Sequence, residues 1–380
     1  MKDFVLDIPT KIHFGKTSVD DALTKETSLF GDVVMIICTG DSLKKLGFLD
    51  LLNEKINKVE SIKKVIYFDE VSANPDIEEI AKAIEIGKKE SITSVIGFGG
   101  GSAIDAAKVV GFGVLSKNDI RDYIYKGTPV TGDVLPIISI PTTAGTGAEL
   151  TKGAIVSSRE KGIKTGIRGD LVTPVLAIVD PTFTYSVPYN ITMDTGFDAL
   201  THAVESYLAV KADSFSEMLS EKAIKTISYS LRKLKENLND YEARDNMSFS
   251  SMIMGFNVKN IGNCLPHRMQ YPVGALTHTS HGAGLISLYP AWFGYEYEVS
   301  KEKVNEILKW LSYPEAKSAK EAKDSMRSFI NEFGIYKSLT ELGIESMDAK
   351  EIAAKVTGNL ANDKLSEVED IIETIYRESM

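Results

Sequence analysis

Residues 94–102 read Ser-Val-Ile-Gly-Phe-Gly-Gly-Gly-Ser. A short apolar run enters a cluster of glycines, and Ala103-Ile104-Asp105-Ala106-Ala107 follows with good helix formers. Strand, tight turn and helix in that order make a cradle for phosphate. Glycine lets the backbone approach an anion closely, and the first N–H groups of the helix point at it. The GxGxxG spacing is absent, so the loop uses the same physics in a variant form. A plain strand-to-helix turn also accounts for the stretch taken alone.

The pattern repeats on both sides. Residues 33–38 (VVMIIC), 64–68, 135–141 and 175–179 read as strands, the first an unbroken apolar run suited to burial on both faces. Residues 42–52 and 76–88 read as helices, and His13 falls in an N-terminal strand. The alternation predicts an α/β domain with a Rossmann-like parallel sheet, helices on both faces and a ligand at the carboxyl ends of the strands. The strand at 135–141 runs into a second polar loop, Thr142-Thr143-Ala144-Gly145-Thr146-Gly147, which strengthens the phosphate reading. Lys164 offers a cation, although a single lysine reads equally as surface. Beyond 180–188 the composition changes. Phe197, Leu200, Val204 and Leu208 keep a helical period, as do Phe215, Leu219, Ile227, Leu231 and Leu234. Helical patterns continue at 301–311, 317–333, 348–357 and 365–376, with no convincing strand. The chain is therefore expected to divide into a dinucleotide-binding α/β domain, 1–186, and an all-α metal- and substrate-binding domain, 187–380.

The totals narrow the function. A net charge of −10 over 380 residues argues against a nucleic-acid partner, which needs a basic footprint. Two distant cysteines, Cys38 and Cys264, make neither a disulfide framework nor a thiolate metal cluster. The first residues lack the apolar core of a signal peptide, and no apolar run reaches the roughly 20 residues of a membrane span. A cytoplasmic protein that does not engage a membrane is expected.

Four of the five histidines lie between residues 202 and 281, and three of them, His202, His267 and His281, stand with an acid that shares a helical face with one of them. Asp198 and His202 are four apart, so both project from one side of a helix. A helix hydrogen bond explains that pair as well as a metal does. His267 stands between Pro266 and Pro272, where a helix is expected to kink or stop. His281 follows Ser280, a good N-cap, and could satisfy a helix terminus instead. As a set, three imidazoles and a carboxylate complete a shell for Fe²⁺ or Zn²⁺. His278 is left over as a surface, supporting or substrate-facing residue. At the end of the first long strand, Gly40 leaves room for a 2′-phosphate, Ser42 can donate to it, and Lys44 and Lys45 are near. Asp41 opposes this, and the balance favours NADP over NAD.

These segments together resemble the iron-containing (group III) alcohol dehydrogenases over essentially the whole chain. The resemblance runs through Phe14-Gly15-Lys16, Asn74-Pro75, Gly99–Lys108 (GGGSAIDAAK), Pro141–Thr151 (PTTAGTGAELT), Asp198–Glu205 (DALTHAVE) and the separation of His267 from His281. It implies that Asp198, His202, His267 and His281 bind the metal, iron first and zinc as the alternative. It implies that Gly100, Gly101, Ser102, Thr142, Thr143 and Lys164 hold the phosphates and ribose, with Asp105 near the nicotinamide. Asn74 and the Gly40–Ser42 corner would serve the adenosine end. Many members carry a second, substrate-facing histidine four residues after the third ligand; here that place is taken by Tyr271. A phenol donates a hydrogen bond but accepts a proton poorly near neutral pH. The implied activity is hydride transfer between a nicotinamide and a small alcohol or aldehyde, in a homodimer. Polyol, glycerol or hydroxy-acid dehydrogenases and a dehydroquinate-synthase-like cyclase share the plan. A nucleotide sensor without catalysis would explain the glycine loop but leave the four ligands idle.

Overall fold

The computed structural model describes residues 2–277, 279–344 and 349–380. The chain divides into two compact units, residues 7–186 and residues 1–6 with 187–380.

The first unit is built on β1 (Lys11–Phe14), β2 (Val33–Ile37), β3 (Lys64–Phe68), β4 (Ser94–Gly99), β5 (Ile137–Pro141) and β8 (Leu176–Val179). These six pair only in parallel, in the order β1-β8-β5-β4-β2-β3. Successive residues of β2 face opposite cores, which is why the strand is apolar throughout. Met35 and Ile37 pack with Ile80, Ile84, Ala106 and Val110 of helices α1 (Ile77–Glu90) and α2 (Gly101–Gly113). Val34 and Ile36 pack with Ile96, Phe98 and Phe183 on the other face. Asp76 starts α1 with a capping box closed by Glu79. Gly97 lets α2 lie tight on β4, since a Cβ there would stand 2.8 Å from the Ile104 Cα.

Two local features differ from the sequence expectation. The helix expected over 42–52 is split, because Leu46 ends one piece and Gly47, at φ +73°, begins the next in the left-handed region. An antiparallel hairpin of β6 (Gly153–Ser158) and β7 (Ile163–Arg168) stands apart from the sheet. Its period-two signal is short and half polar: only alternate residues such as Ala154 and Val156 are buried, so no apolar run announces it.

The second unit contains α3 (Tyr189–Leu208), α4 (Ser214–Glu236), α5 (Tyr241–Asn260), α6 (Leu265–Thr277), α7 (His281–Trp310) and α8 (Ala319–Asn331), and no strand among its described residues. α3 is packed by α4, α5 and α7, which buries it from Gly196 to Leu208. Pro272 does not end α6. The helix continues through it, and the Arg268 carbonyl gives up the N–H it would otherwise accept. α7 runs past Pro290 but bends at Ser300, so the helix expected at 301–311 is its second piece. The helix expected over 365–376 is displaced to Ile371–Glu378. It is preceded by a single 3₁₀ turn and by Asp370 in a left-handed conformation. The pattern at 348–357 begins at Asp348, outside the described residues, and a short helix is present over Ala349–Ala353.

Candidate active site

On α3 the helical period sets Asp198, His202 and Glu205 along one side at i, i+4 and i+7. Asp198 and His202 are both buried, and Glu205 is wholly so. α6 brings in His267, and Ser280 caps α7 by accepting from the Ala283 N–H, which fixes His281 at the first position of that helix. The three imidazole Nε2 atoms converge on one oxygen, Asp198 Oδ1, at 3.8 Å from His202, 3.4 Å from His267 and 3.6 Å from His281. The His202 and His267 rings stack with centroids 4.5 Å apart.

The hydrogen bonds behind the rings decide what the Nε2 atoms present. His267 Nδ1 lies 2.7 Å from Glu205 Oε1, and a carboxylate there makes Nδ1 the protonated nitrogen. His281 Nδ1 lies 2.5 Å from Gln270 Oε1, with the same result. Both Nε2 atoms therefore turn a lone pair toward a carboxylate oxygen. Asp198 Oδ1 and His267 Nε2 are buried without a hydrogen-bond partner. Lone pairs facing one another in a dry site repel unless a cation or a proton stands between them. Bond lengths of about 2.1 Å to a tetrahedral ion put neighbouring donors roughly 3.4 Å apart, close to the spacings seen here. The residues present thus fit a divalent ion.

With no ion, protons must supply the charge. Burial alone would lower His267, but the Glu205 and Asp198 charges outweigh it and push its pKa up to about 9. Burial alone would raise Asp198, and the fields of His202, His281 and His267 overcome it, holding the carboxyl well below the usual range. Glu205 and Gln270 were not singled out in the sequence. For Glu205 the signal was available, as an acid at i+3 from His202 on the ligand face. Gln270 accepts from a ring on another helix and gives no such signal.

In the other unit the glycine loop and the 142–147 loop meet. The Thr142 N–H bonds the Gly99 carbonyl at 2.9 Å, and Thr143 Oγ1 lies 3.4 Å from where a side chain on Gly100 would begin. Gly100 caps α2 without any side-chain hydrogen bond, and Thr143 and Thr146 stand beside Gly100 and Gly101 at its first turn. Ser102 Oγ donates to the Ala73 carbonyl at 2.5 Å, and Lys164 Nζ on β7 reaches Asn74 Oδ1 at 2.9 Å. Ser102, Asn74, Lys164, Gly100, Gly101, Thr142 and Thr143 thereby cluster at the carboxyl ends of β4 and β5. The corner of Gly40, Asp41 and Ser42 follows β2 in the same sheet. Gly40 has open space beside it, and the exposed Asp41 sits 3.8 Å from Lys45. Asp105 points at the hairpin: its Oδ2 accepts from the Ile155 N–H at 2.9 Å and its Oδ1 lies 3.6 Å from the buried Lys108. Tyr271 is one turn beyond His267 on α6, partly exposed, with Arg268 Nη1 3.5 Å from its hydroxyl. His278 lies outside the described residues.

Known proteins give an independent view. Residues 9–181 match the family model described as iron-containing alcohol dehydrogenase, and residues 192–380 match that of the Fe-containing alcohol dehydrogenase family, C-terminal. The chain is 30% identical to NADH-dependent butanol dehydrogenase A of Clostridium acetobutylicum, with all of both chains covered. It is 32% identical to long-chain-alcohol dehydrogenase 1 of Geobacillus thermodenitrificans over 97% of this chain and 94% of that one. Among solved structures, the NADH-dependent butanol dehydrogenase A of Thermotoga maritima superposes with a TM-score of 0.90 at 27% identity, covering 100% of this chain and 99% of the other.

Proposed function

The chain belongs to the iron-containing alcohol dehydrogenase family, and we propose that Asp198, His202, His267 and His281 hold its divalent metal. It is an oxidoreductase that acts on small alcohols and aldehydes with a nicotinamide dinucleotide. The observation that carries the ligand assignment is the convergence of three imidazole nitrogens on a buried Asp198 oxygen that has no hydrogen-bond partner.

When bound, the metal supplies Lewis-acid polarisation of a substrate oxygen and the nicotinamide supplies the hydride chemistry. The protein's own residues do the rest. Glu205 and Gln270 hold His267 and His281 in the tautomer that offers Nε2. The first turn of α2, with Ser102, Thr142, Thr143, Lys164 and Asn74, binds the dinucleotide's phosphates and ribose. Tyr271 directs a hydroxyl toward the substrate. The engagement of Asp105 with the Ile155 N–H suits a brace that keeps the Lys164 hairpin in place under the nicotinamide half.

Finer assignments belong to the same proposal. Iron is the native metal, with zinc able to occupy the same donor set. NADP is preferred over NAD, on the open space at Gly40 and the nearby Ser42, Lys44 and Lys45, against the single carboxylate of Asp41. The enzyme works as a homodimer in the cytoplasm; its two cysteines are buried free thiols, as a reducing compartment allows. Among the described residues no helix is long and apolar enough to cross a membrane.

The test is a stripped preparation reloaded with Fe²⁺ or Zn²⁺ and assayed on butanal with NADH and NADPH in parallel. Activity should return only with metal and be greater with NADPH. Full turnover by the stripped protein would overturn the metal proposal, and a clear NADH preference would overturn the cofactor proposal.

A further inference from the structure

Arg268 follows His267 directly in the sequence, yet none of the chemistry above uses it. Among the described residues no carboxylate stands within ion-pair distance of it, as is also the case for Arg168, Arg244 and Arg327, whereas Arg121, Arg159, Arg232 and Arg377 each reach an acid. Among the described residues its guanidinium makes one hydrogen bond, the long 3.5 Å contact from Nη1 to the Tyr271 hydroxyl, and its guanidinium carbon lies 5.9 Å from the centre of that ring. Nε is buried without an acceptor. The stem is covered by the backbone at Gly358, where a side chain would begin 3.4 Å from the Arg268 Cδ. Among the described residues Nη2 has no hydrogen-bond partner, and Arg268 as a whole is only partly buried. The stem is fixed, one terminal nitrogen leans on Tyr271, and the paired donors that suit an oxyanion are unspent.

Position gives this cation its meaning. Arg327 also has a buried, unpaired Nε and leans on Tyr336, but it lies on α8, which carries no proposed ligand. Arg268 and Tyr271 are three apart on α6, and Tyr271 is one turn from His267, about 6 Å along the helix axis. We propose that Arg268, braced by the Tyr271 hydroxyl, is a specificity-determining residue that binds an acidic group at the far end of the substrate. The substrate class is then a short aldehyde or alcohol bearing a carboxylate or sulfonate two or three carbons from the reacting carbon. This rests on the assignment of His267 to the metal and sharpens it from small aldehydes in general to acidic ones.

The test compares succinic semialdehyde, its sulfonate analogue and butanal on the metal-loaded enzyme, in the wild type and in Arg268→Gln and Arg268→Lys. Calorimetric binding of succinate to wild type and Arg268→Gln is measured alongside. The wild type should favour one of the two acids over butanal by about 100-fold in kcat/KM, and Arg268→Gln should remove most of that ratio. Arg268→Lys should keep part of it, since it retains a charge but not the fork. Succinate binding should weaken by a similar factor in Arg268→Gln. A wild type that prefers butanal, or a ratio unchanged by Arg268→Gln, overturns the proposal while leaving alcohol dehydrogenase activity intact. Arg268-dependent succinate binding in a protein that reduces none of the three aldehydes does the reverse: the acid site stands, and the assignment of the reaction falls.

Discussion

Glu205→Gln isolates what the residue behind a ligand contributes. Glu205 is wholly buried and both of its oxygens are used: Oε1 lies 2.7 Å from His267 Nδ1 and Oε2 accepts from the Cys264 N–H at 2.8 Å. Glutamine keeps the shape but has one oxygen. If that oxygen stays on His267, the amide NH₂ faces the Cys264 N–H, donor against donor, and one buried N–H loses its acceptor at about 1–3 kcal/mol of folding stability. The lost negative charge also makes His267 a poorer electron donor through Nε2. Residues in this relation to a metal ligand change metal affinity by about 10–100-fold, which is roughly 1.4–2.7 kcal/mol. The assay is chelator competition for Fe²⁺ or Zn²⁺ near neutral pH, with circular dichroism as the check on folding and Asp198→Ala as the reference that should retain no metal. An affinity for Glu205→Gln within about threefold of wild type would refute the claim that His267 needs its carboxylate partner.

Other consequences can be measured separately. Asp198→Ala should abolish metal retention while preserving the far-ultraviolet spectrum; a variant that keeps metal and turnover removes Asp198 from the ligand set. In metal-free protein, His267 is raised from 6.5 to about 9, so the stabilisation from its protonation is complete below pH 6.5 and lost as pH rises through about 9. Metal-free protein should therefore melt at a lower temperature above pH 9 than at pH 6.5, and added metal should reduce that slope; equal slopes with and without metal count against it. Gly97→Ala should cost about 1–3 kcal/mol in urea unfolding, because the new methyl meets the Ile104 backbone at 2.8 Å rather than a side chain able to turn away. An unchanged midpoint would mean α2 can slide on β4.

The parallel sheet and the helical second half are legible because burial imposes a period on the residues. β2 must be apolar on both faces, and α3 must repeat Phe197, Leu200 and Val204 to bury one side, so both patterns survive in one dimension. The same period explains why Asp198, His202 and Glu205 can be placed on one helix face without a structure. The glycines at 97 and 99–101 are likewise readable as a turn, since few other residues tolerate such close approach or unusual backbone angles. The β6–β7 hairpin escapes because only alternate residues are buried and the strands are short. The split at Gly47 and the unbroken passage of α6 through Pro272 escape because a local propensity states a cost, not whether packing overrides it.

By itself, the order of residues determined which side chains can donate to a metal, which loop can approach a phosphate, and where the helical half begins. Only the tertiary structure decided that the Nε2 atoms of rings on three helices point at one oxygen, because that depends on helix packing and not on spacing along the chain. It alone set the tautomers, through Glu205 behind His267 and Gln270 behind His281. It alone showed that Arg268, one charge among many in the sequence, stands beside Tyr271 with no acid within ion-pair distance among the described residues.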